Sequence, residues 1–368
     1  MARRLRYDWL LFMASFALIA LSVVMVYSAS SIVAAQRFDD PYRFVAKQIG
    51  FVLAGCLLLA IVMRIDYHVF ARSHVVWTLI GIAVVLLVIV LLKGKLYNGG
   101  RRWLYPLPGV SVQPSEFAKF AAVVFTAALL DRRMSQIDDL REVVLPAGAM
   151  LIVVGGLILR QPDFGTAVTL AVAVLVMLVA AGLRWHYVAA AAALAVPAAV
   201  RLVMQNPYRW KRIVSFLDPE GDPQGGGWQI LQSLAAVGNG GVWGVGLMEG
   251  VQKRFWLPEA HSDFIFAVIA EELGLIGAVI TLAAFAVLAW RGLSIAADAP
   301  DRFGAFMALG LTTLIGFQAL LNISVVIGLL PTKGIPLPLV SAGGSSMLVS
   351  FLALGVLLNL STHASVRR

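Results

Sequence analysis

Long apolar runs separated by short polar breaks make up almost the whole chain. Ten runs predict helices, at roughly 8–28, 46–64, 75–93, 113–131, 143–160, 164–183, 186–204, 264–290, 303–329 and 339–361. Each approaches the ~20 residues an α-helix needs to cross the hydrocarbon core of a bilayer. Period-two alternation is absent, which argues against an outer-membrane barrel. The connections are short except between the seventh and eighth runs, about 205–263. There Asp218-Pro219-Glu220-Gly221-Asp222-Pro223 and Gly225-Gly226-Gly227 are turn-formers, and 228–237 reads as a short interfacial helix. The expected fold is an all-α polytopic integral membrane protein of about ten transmembrane helices. It forms a single domain over 1–368, with one large extracytoplasmic loop between helices 7 and 8.

Composition agrees with that pattern. Of 368 residues, 60% are hydrophobic and 13% charged, and the mean hydropathy is +0.87, which no soluble globular domain matches. The first run follows Arg3, Arg4 and Arg6 but is longer than a signal-peptide core, so it is expected to be retained. A net charge of +9 points to anionic headgroups or phosphate-bearing lipids rather than nucleic acid. Cys56 is the single cysteine, so no disulfide framework exists. A P-loop, a Rossmann glycine pattern and a Cys/His cluster with metal-ligand spacing are all missing, which argues against an ATP-driven machine.

With the N-terminus inside, every short cytoplasmic connection carries an arginine, among them Arg64, Arg72, Arg132, Arg184 and Arg302. The outer side is basic too, and the short segment from Lys93 to Arg102 breaks the positive-inside rule. An anionic substrate held on the outer face would account for it.

Candidate chemistry concentrates in Leu257-Pro258-Glu259-Ala260-His261-Ser262-Asp263-Phe264, at the mouth of the eighth helix. Asp263 reads equally as a helix cap or as a reacting carboxylate, whereas Glu259 and His261 read as residues that orient the turn. Glu116 and Lys119, three apart on one helix face, read as a structural ion pair. Asp163 reads as the N-cap of the sixth helix, with a place in the cavity wall as the alternative. The run Leu330-Pro331-Thr332-Lys333-Gly334-Ile335-Pro336-Leu337-Pro338 cannot be regular helix, because three prolines remove donors. Irregular backbone near membrane depth belongs beside a cavity or inside protein, and Lys333 there calls for an anion.

These stretches resemble the SEDS family (shape, elongation, division and sporulation), the polytopic peptidoglycan glycosyltransferases also called the FtsW/RodA family. The likeness runs from the first helix to the last. It is carried by Gln113-Pro114-Ser115-Glu116, by Gln161-Pro162-Asp163-Phe164-Gly165-Thr166 and by Arg209-Trp210-Lys211-Arg212-Ile213 with Phe216-Leu217-Asp218-Pro219. Gly246-Leu247, residues 257–274 and residues 329–346 add to it. The Leu-Pro-Glu-Ala-His and Leu-Pro-Thr-Lys-Gly spellings are closer to the division-type branch than to the elongation-type. Two positions depart: Ala342 stands where the family usually carries Tyr, and Phe255-Trp256 replaces a more polar pair.

The resemblance implies polymerisation of lipid II into glycan strands on the outer face of the cytoplasmic membrane, for septal wall synthesis. The family's essential aspartate maps onto Asp263, and its pocket cations onto Arg102, Arg212 and Lys333, with Arg209 alongside. Glu259, His261, Ser341 and Ser345 join them as expected substrate-binding residues. Implied partners are polyprenyl-pyrophosphate-linked glycan, a class B penicillin-binding protein transpeptidase and other divisome membrane proteins. No cofactor is identified, although a divalent cation could assist. One base near the acceptor hydroxyl suffices when pyrophosphate leaves, and fixed cations in a partly dry site would meet the charge developing on it. A lipid II flippase is the rival reading, and a non-catalytic division scaffold a third; cations on the outer side alone favour catalysis, since alternating access wants them near the midplane.

Overall fold

The computed structural model describes residues 7–97, 100–107, 110–205 and 207–364, without the side chains of Tyr97, Leu107, Val110, Pro207, Tyr208 and Arg209. Every predicted apolar run lies on a helix. In chain order these are α1 (Trp9–Phe38), α2 (Arg43–Val62), α3 (Ser73–Lys93), α4 (Pro114–Arg133), α5 (Leu140–Arg160), α6 (Phe164–Ala180) and α7 (Trp185–Met204). Two shorter helices follow, α8 (Pro207–Leu217) and α9 (Trp228–Gly240), and then α10 (Ile265–Ala297), α11 (Arg302–Val326) and α12 (Gly344–Ala364).

Among the described residues, eight helices are long and apolar enough to cross a membrane. The two predicted runs outside that set are α6, with 17 residues, and α4, which carries Glu116 and Lys119 in its first half. The protein is therefore a multi-pass helical membrane protein. The stretch between Lys93 and Gln113 corrects the all-α expectation. There β1 (Lys95–Tyr97), β2 (Gly100–Leu107) and β3 (Val110–Val112) form a three-stranded antiparallel sheet, with Leu96 opposite Arg101 and Leu104 opposite Val112. Its signal was legible: Asn98-Gly99 between Lys95-Leu96-Tyr97 and an alternating run is a hairpin sequence.

Helix α4 and most of α12 lie inside the bundle, α12 against α2 and α4 against α3, α6 and α11. Helix α7 is the opposite case, for none of its residues is buried. Helix α9, a short helix as expected, packs on α10, with the Ser233 hydroxyl donating 2.7 Å to the Val326 carbonyl at the end of α11.

Helix α10 changes character midway. Ile265 to Glu272 are all buried in protein, whereas Leu275, Ile276, Val279 and Ile280 are exposed. Between them Gly274 takes φ 65° and ψ −163°, outside the helical region and open to glycine. The segment Gly241–Gly246 lies against the break and takes up the freed backbone groups. Val245 and Gly246 N–H donate to the carbonyls of Glu271 and Glu272 at 3.0 and 3.1 Å, and Leu275 N–H donates to Gly241 at 2.9 Å. From Leu275 onward about 23 residues give about 34 Å of helix, enough to span a bilayer alone.

The two glutamates that interrupt this run fasten the preceding loop. Glu271 accepts the N–H groups of Val251 and Gln252 at 3.0 and 3.1 Å. Glu272 takes the Lys253 ammonium at 2.6 Å and the Ser28 hydroxyl at 2.7 Å. Lys253 is thus a buried ion-pair partner.

Candidate active site

The segments flanking α10 and α12, the β-sheet and α8 enclose one cavity of about 860 Å³. Residues from five separate parts of the sequence line it. They include Arg102, Trp103 and Gln113 from the sheet region, and Lys211 and Arg212 from α8. Glu259, His261 and Asp263 precede α10, Lys333 and Gly334 come from the proline-rich run, and Lys47 from α2.

Asp263 lies two residues before α10. The N-cap position belongs to Phe264, and no side chain caps this helix, so the capping role does not apply. Among the described residues the Asp263 carboxylate has no hydrogen-bond partner and faces the cavity, while its own main-chain carbonyl accepts from the Asn322 amide at 2.7 Å. Burial drives its pKa from 3.8 up to about 7, reinforced by the Glu259 carboxylate and, weakly, Asp163, against the pull of Arg102 and Arg212. A carboxylate titrating there can accept a proton at neutral pH.

Glu259 turns the chain with φ 54° and accepts the Ser262 hydroxyl at 3.1 Å. The His261 ring rests 4.7 Å from that of Phe44, and burial lowers its pKa, with Glu259 opposing and Arg37 adding to the shift. The imidazole is therefore biased toward its neutral form.

The cations approach from the other walls. On β2, Arg102 donates Nε–H to the Gln161 carbonyl at 2.9 Å and Nη2–H to the Pro162 carbonyl at 2.7 Å, so part of its fork is already committed. Arg212 Nη1 donates to the Thr332 carbonyl at 3.0 Å, tying α8 to the residue before Lys333. The Lys333 ammonium stands 4.9 Å from the centre of the Phe164 ring, a cation–π distance. Burial lowers its pKa, Arg212 lowers it further, and Asp163 works the other way. Two cations that repel each other at one dry wall gain from an anion bridging them.

Not every sequence-derived candidate reaches the cavity. The Ser341 hydroxyl donates to the Ser262 carbonyl at 2.6 Å and accepts from Leu337 N–H at 2.7 Å, which joins the two loops rather than presenting an oxygen to a ligand. Ser345 accepts from Gln113 N–H at 3.1 Å and is likewise turned away; Gly343, Gly344 and Ser346 are the lining residues here. The Arg209 side chain lies outside the described residues. Asp163 caps α6 through Thr166 N–H at 3.2 Å and accepts from the Gln113 amide at 2.9 Å, so it acts on the cavity through its charge.

Glu116 and Lys119 pair at 3.0 Å with both side chains 4% exposed, as a structural ion pair within the bundle. The same ammonium donates to Gln318 Oε1, and Gln318 Nε2 donates to the Pro336 carbonyl at 2.9 Å. Gln318, Asn322, Gly334 and Lys47 were missed from sequence. An amide every fourth residue in an otherwise apolar helix was the available sign for the first two. Among the described residues no three His, Cys, Asp or Glu side chains converge as a metal-ligand set.

The family model described as cell cycle protein, FTSW_RODA_SPOVE, matches residues 8–366. A probable peptidoglycan glycosyltransferase FtsW from Trichlorobacter lovleyi is 46% identical over 361 residues, covering 98% of this chain and 94% of that one. Stage V sporulation protein E from Bacillus subtilis is 41% identical, covering 97% of each. A chain of a peptidoglycan synthase complex, solved for the structural coordination of polymerization and crosslinking, superposes with a TM-score of 0.78 at 31% identity, over 96% of this chain and 97% of that one. The rod shape determining protein RodA of Thermus thermophilus gives 0.72 at 28% identity, over 97% of each chain.

Proposed function

Because the chain belongs to the FtsW/RodA/SpoVE family of cell cycle proteins, we propose that it is a division-type peptidoglycan glycosyltransferase that polymerises lipid II. The observation that carries the reading is the Asp263 carboxylate, without a hydrogen-bond partner among the described residues, in one cavity with Arg102, Arg212 and Lys333. Asp263 takes the proton from the acceptor sugar hydroxyl as the new glycosidic bond forms, and polyprenyl pyrophosphate leaves from the donor. That leaving group needs no general acid, in contrast to glycoside hydrolysis, where two carboxylates divide the work. The guanidinium groups and Lys333 meet the charge that grows on the pyrophosphate, in a partly buried site where such charges act more strongly than in water. Partly dry surroundings serve the base as well, since they keep its pKa close to working pH.

The same reading places the cavity on the outer face of the cytoplasmic membrane, with about ten spans and both termini in the cytoplasm. Residues 1–368 act as one unit, and the loop of about 205–263 roofs the site. A class B penicillin-binding protein is the expected partner. The solved structure at 31% identity is part of a peptidoglycan synthase complex that coordinates polymerization and crosslinking.

The test is polymer formation from labelled lipid II by purified protein in liposomes, with a class B partner. Glycan chains are expected, and Arg212→Ala and Lys333→Ala should lower kcat/KM by about tenfold or more, the weight of a charged hydrogen bond. Lipid II that crosses the bilayer without polymerising would overturn the reading in favour of a flippase.

A further inference from the structure

Asn322 touches both Asp263 and the proline-rich run without lining the cavity. Asn322 is 1% exposed, on the inner face of α11. Its amide nitrogen donates one hydrogen to the Asp263 carbonyl and the other to the Ile335 carbonyl, each at 2.7 Å. Both donors of a single amide are spent on two segments more than seventy residues apart.

The bonds of Ser341 and Ala342 join these segments at Leu337, Ser262 and His261, which leaves the stretch around Gly334 to other anchors. The run from Pro331 to Pro338 contains three prolines, which donate no backbone hydrogen bond. Between Thr332 and Pro336 its carbonyls are gripped from outside by Arg212 at Thr332, Asn322 at Ile335 and Gln318 at Pro336. Of these three grips only that of Asn322 also reaches Asp263; farther along, the Ser341 hydroxyl and Ala342 N–H donate to the neighbouring Ser262 and His261 carbonyls. Ile335 adjoins Gly334, and Gly334 is the residue packed against the Asp263 carboxylate. The Asn322 side-chain oxygen is itself buried with no partner among the described residues, so this amide is held for its donors.

We propose that Asn322 is a positioning residue: it fixes the distance between the carboxylate of Asp263 and the Lys333–Gly334 backbone. Its consequence for rate rests on the polymerase reading above; its consequence for Asp263 does not. With Leu in its place two carbonyls lose their donor, the segments part, and water reaches the carboxylate. Misplacement by about 1 Å typically costs on the order of a hundredfold in rate.

The test is an infrared titration of detergent-solubilised protein that follows the protonated-carboxyl band removed by Asp263→Asn. The charged groups facing that carboxylate are Glu259, Arg102, Arg212 and Asp163, with Lys333 and His261 on the same cavity wall, and the Asn322 variants leave all six unchanged. In Asn322→Leu the midpoint is expected to fall by about one unit or more, because burial is what raises it. An unchanged midpoint overturns the proposal, whether or not the wild type polymerises lipid II. Asn322→Ser, too short to bridge both carbonyls, gives the same reading if the leucine variant does not fold. In the polymerisation assay either variant should lose kcat about a hundredfold with KM within about threefold. A loss matched by the fall in folded protein, with the pH profile unmoved, would reduce Asn322 to a packing residue.

Discussion

Gly334 stands so close to Asp263 that a β-carbon added to it would lie 2.8 Å from Oδ2 of the carboxylate. That is inside van der Waals contact, so only glycine lets the lysine-bearing backbone pass the proposed base. Gly334→Ala is expected to push the carboxylate aside and lower kcat by about tenfold to a hundredfold. The thermal midpoint should move little, because the contact is with one side chain at a cavity edge. An alanine variant of wild-type rate would show that the two do not meet during turnover.

Asp263→Asn should abolish polymerisation while the protein stays folded, since no helix loses a cap. A base contributes about a hundredfold to ten-thousandfold in rate. In the wild type kcat should fall about tenfold per unit as pH drops below the Asp263 pKa of about 7.

The same carboxylate carries a stability signature. Unfolded it titrates near 3.8, folded near 7, so between those values the folded chain holds a proton the unfolded one has released. Its contribution is therefore present at low pH and lost as pH rises through about 7. Asp263→Asn should melt several degrees above wild type at pH 8 and close to it at pH 4, measured by fluorescence in detergent. Equal shifts at both pH values would remove the buried charge as the cause.

Breaking the Glu116–Lys119 pair on one side only should be severe. Lys119→Met leaves Glu116 charged and dry, at a cost of about 3–5 kcal/mol, and it frees Gln318 from the ammonium that orients it. Lys119→Met with Glu116→Gln should recover most of the stability and less of the activity, because Gln318 remains unheld. Thermal melts and polymer yield on the four proteins of the cycle separate the two effects.

The helices and the location of the chemistry were legible because both depend on local sequence. Apolar runs of membrane length admit few structures, and a carboxylate with lysine and arginine in such a chain has few neutral explanations. Asp263 and Lys333 stood out on that ground, Arg102 and Arg212 came from the family resemblance, and the four line one cavity. What did not show was which groups spend themselves on backbone. Ser341 and Ser345 looked like ligands and are fasteners; Lys253 is spent on Glu272. Their partners lie up to hundreds of residues away, and no spacing rule reports that. The sheet between α3 and α4 was missed for another reason, that a short hairpin beside a membrane helix is outweighed by the apolar pattern around it. The glycine break in α10 was invisible because the sequence on either side reads as one continuous helix.

That break insulates one end of α10 from the other. In an unbroken helix, inserting a residue among the lipid-facing turns would rotate everything upstream by about 100° and carry Asp263 off its mark. Here Gly274 interrupts the ladder, and the backbone bonds from Gly241–Gly246 clamp the joint from the side. Changes of register, tilt or composition beyond Leu275 are absorbed at the joint. The membrane-facing half is thus free to drift with lipid and neighbour while the aspartate keeps its aim.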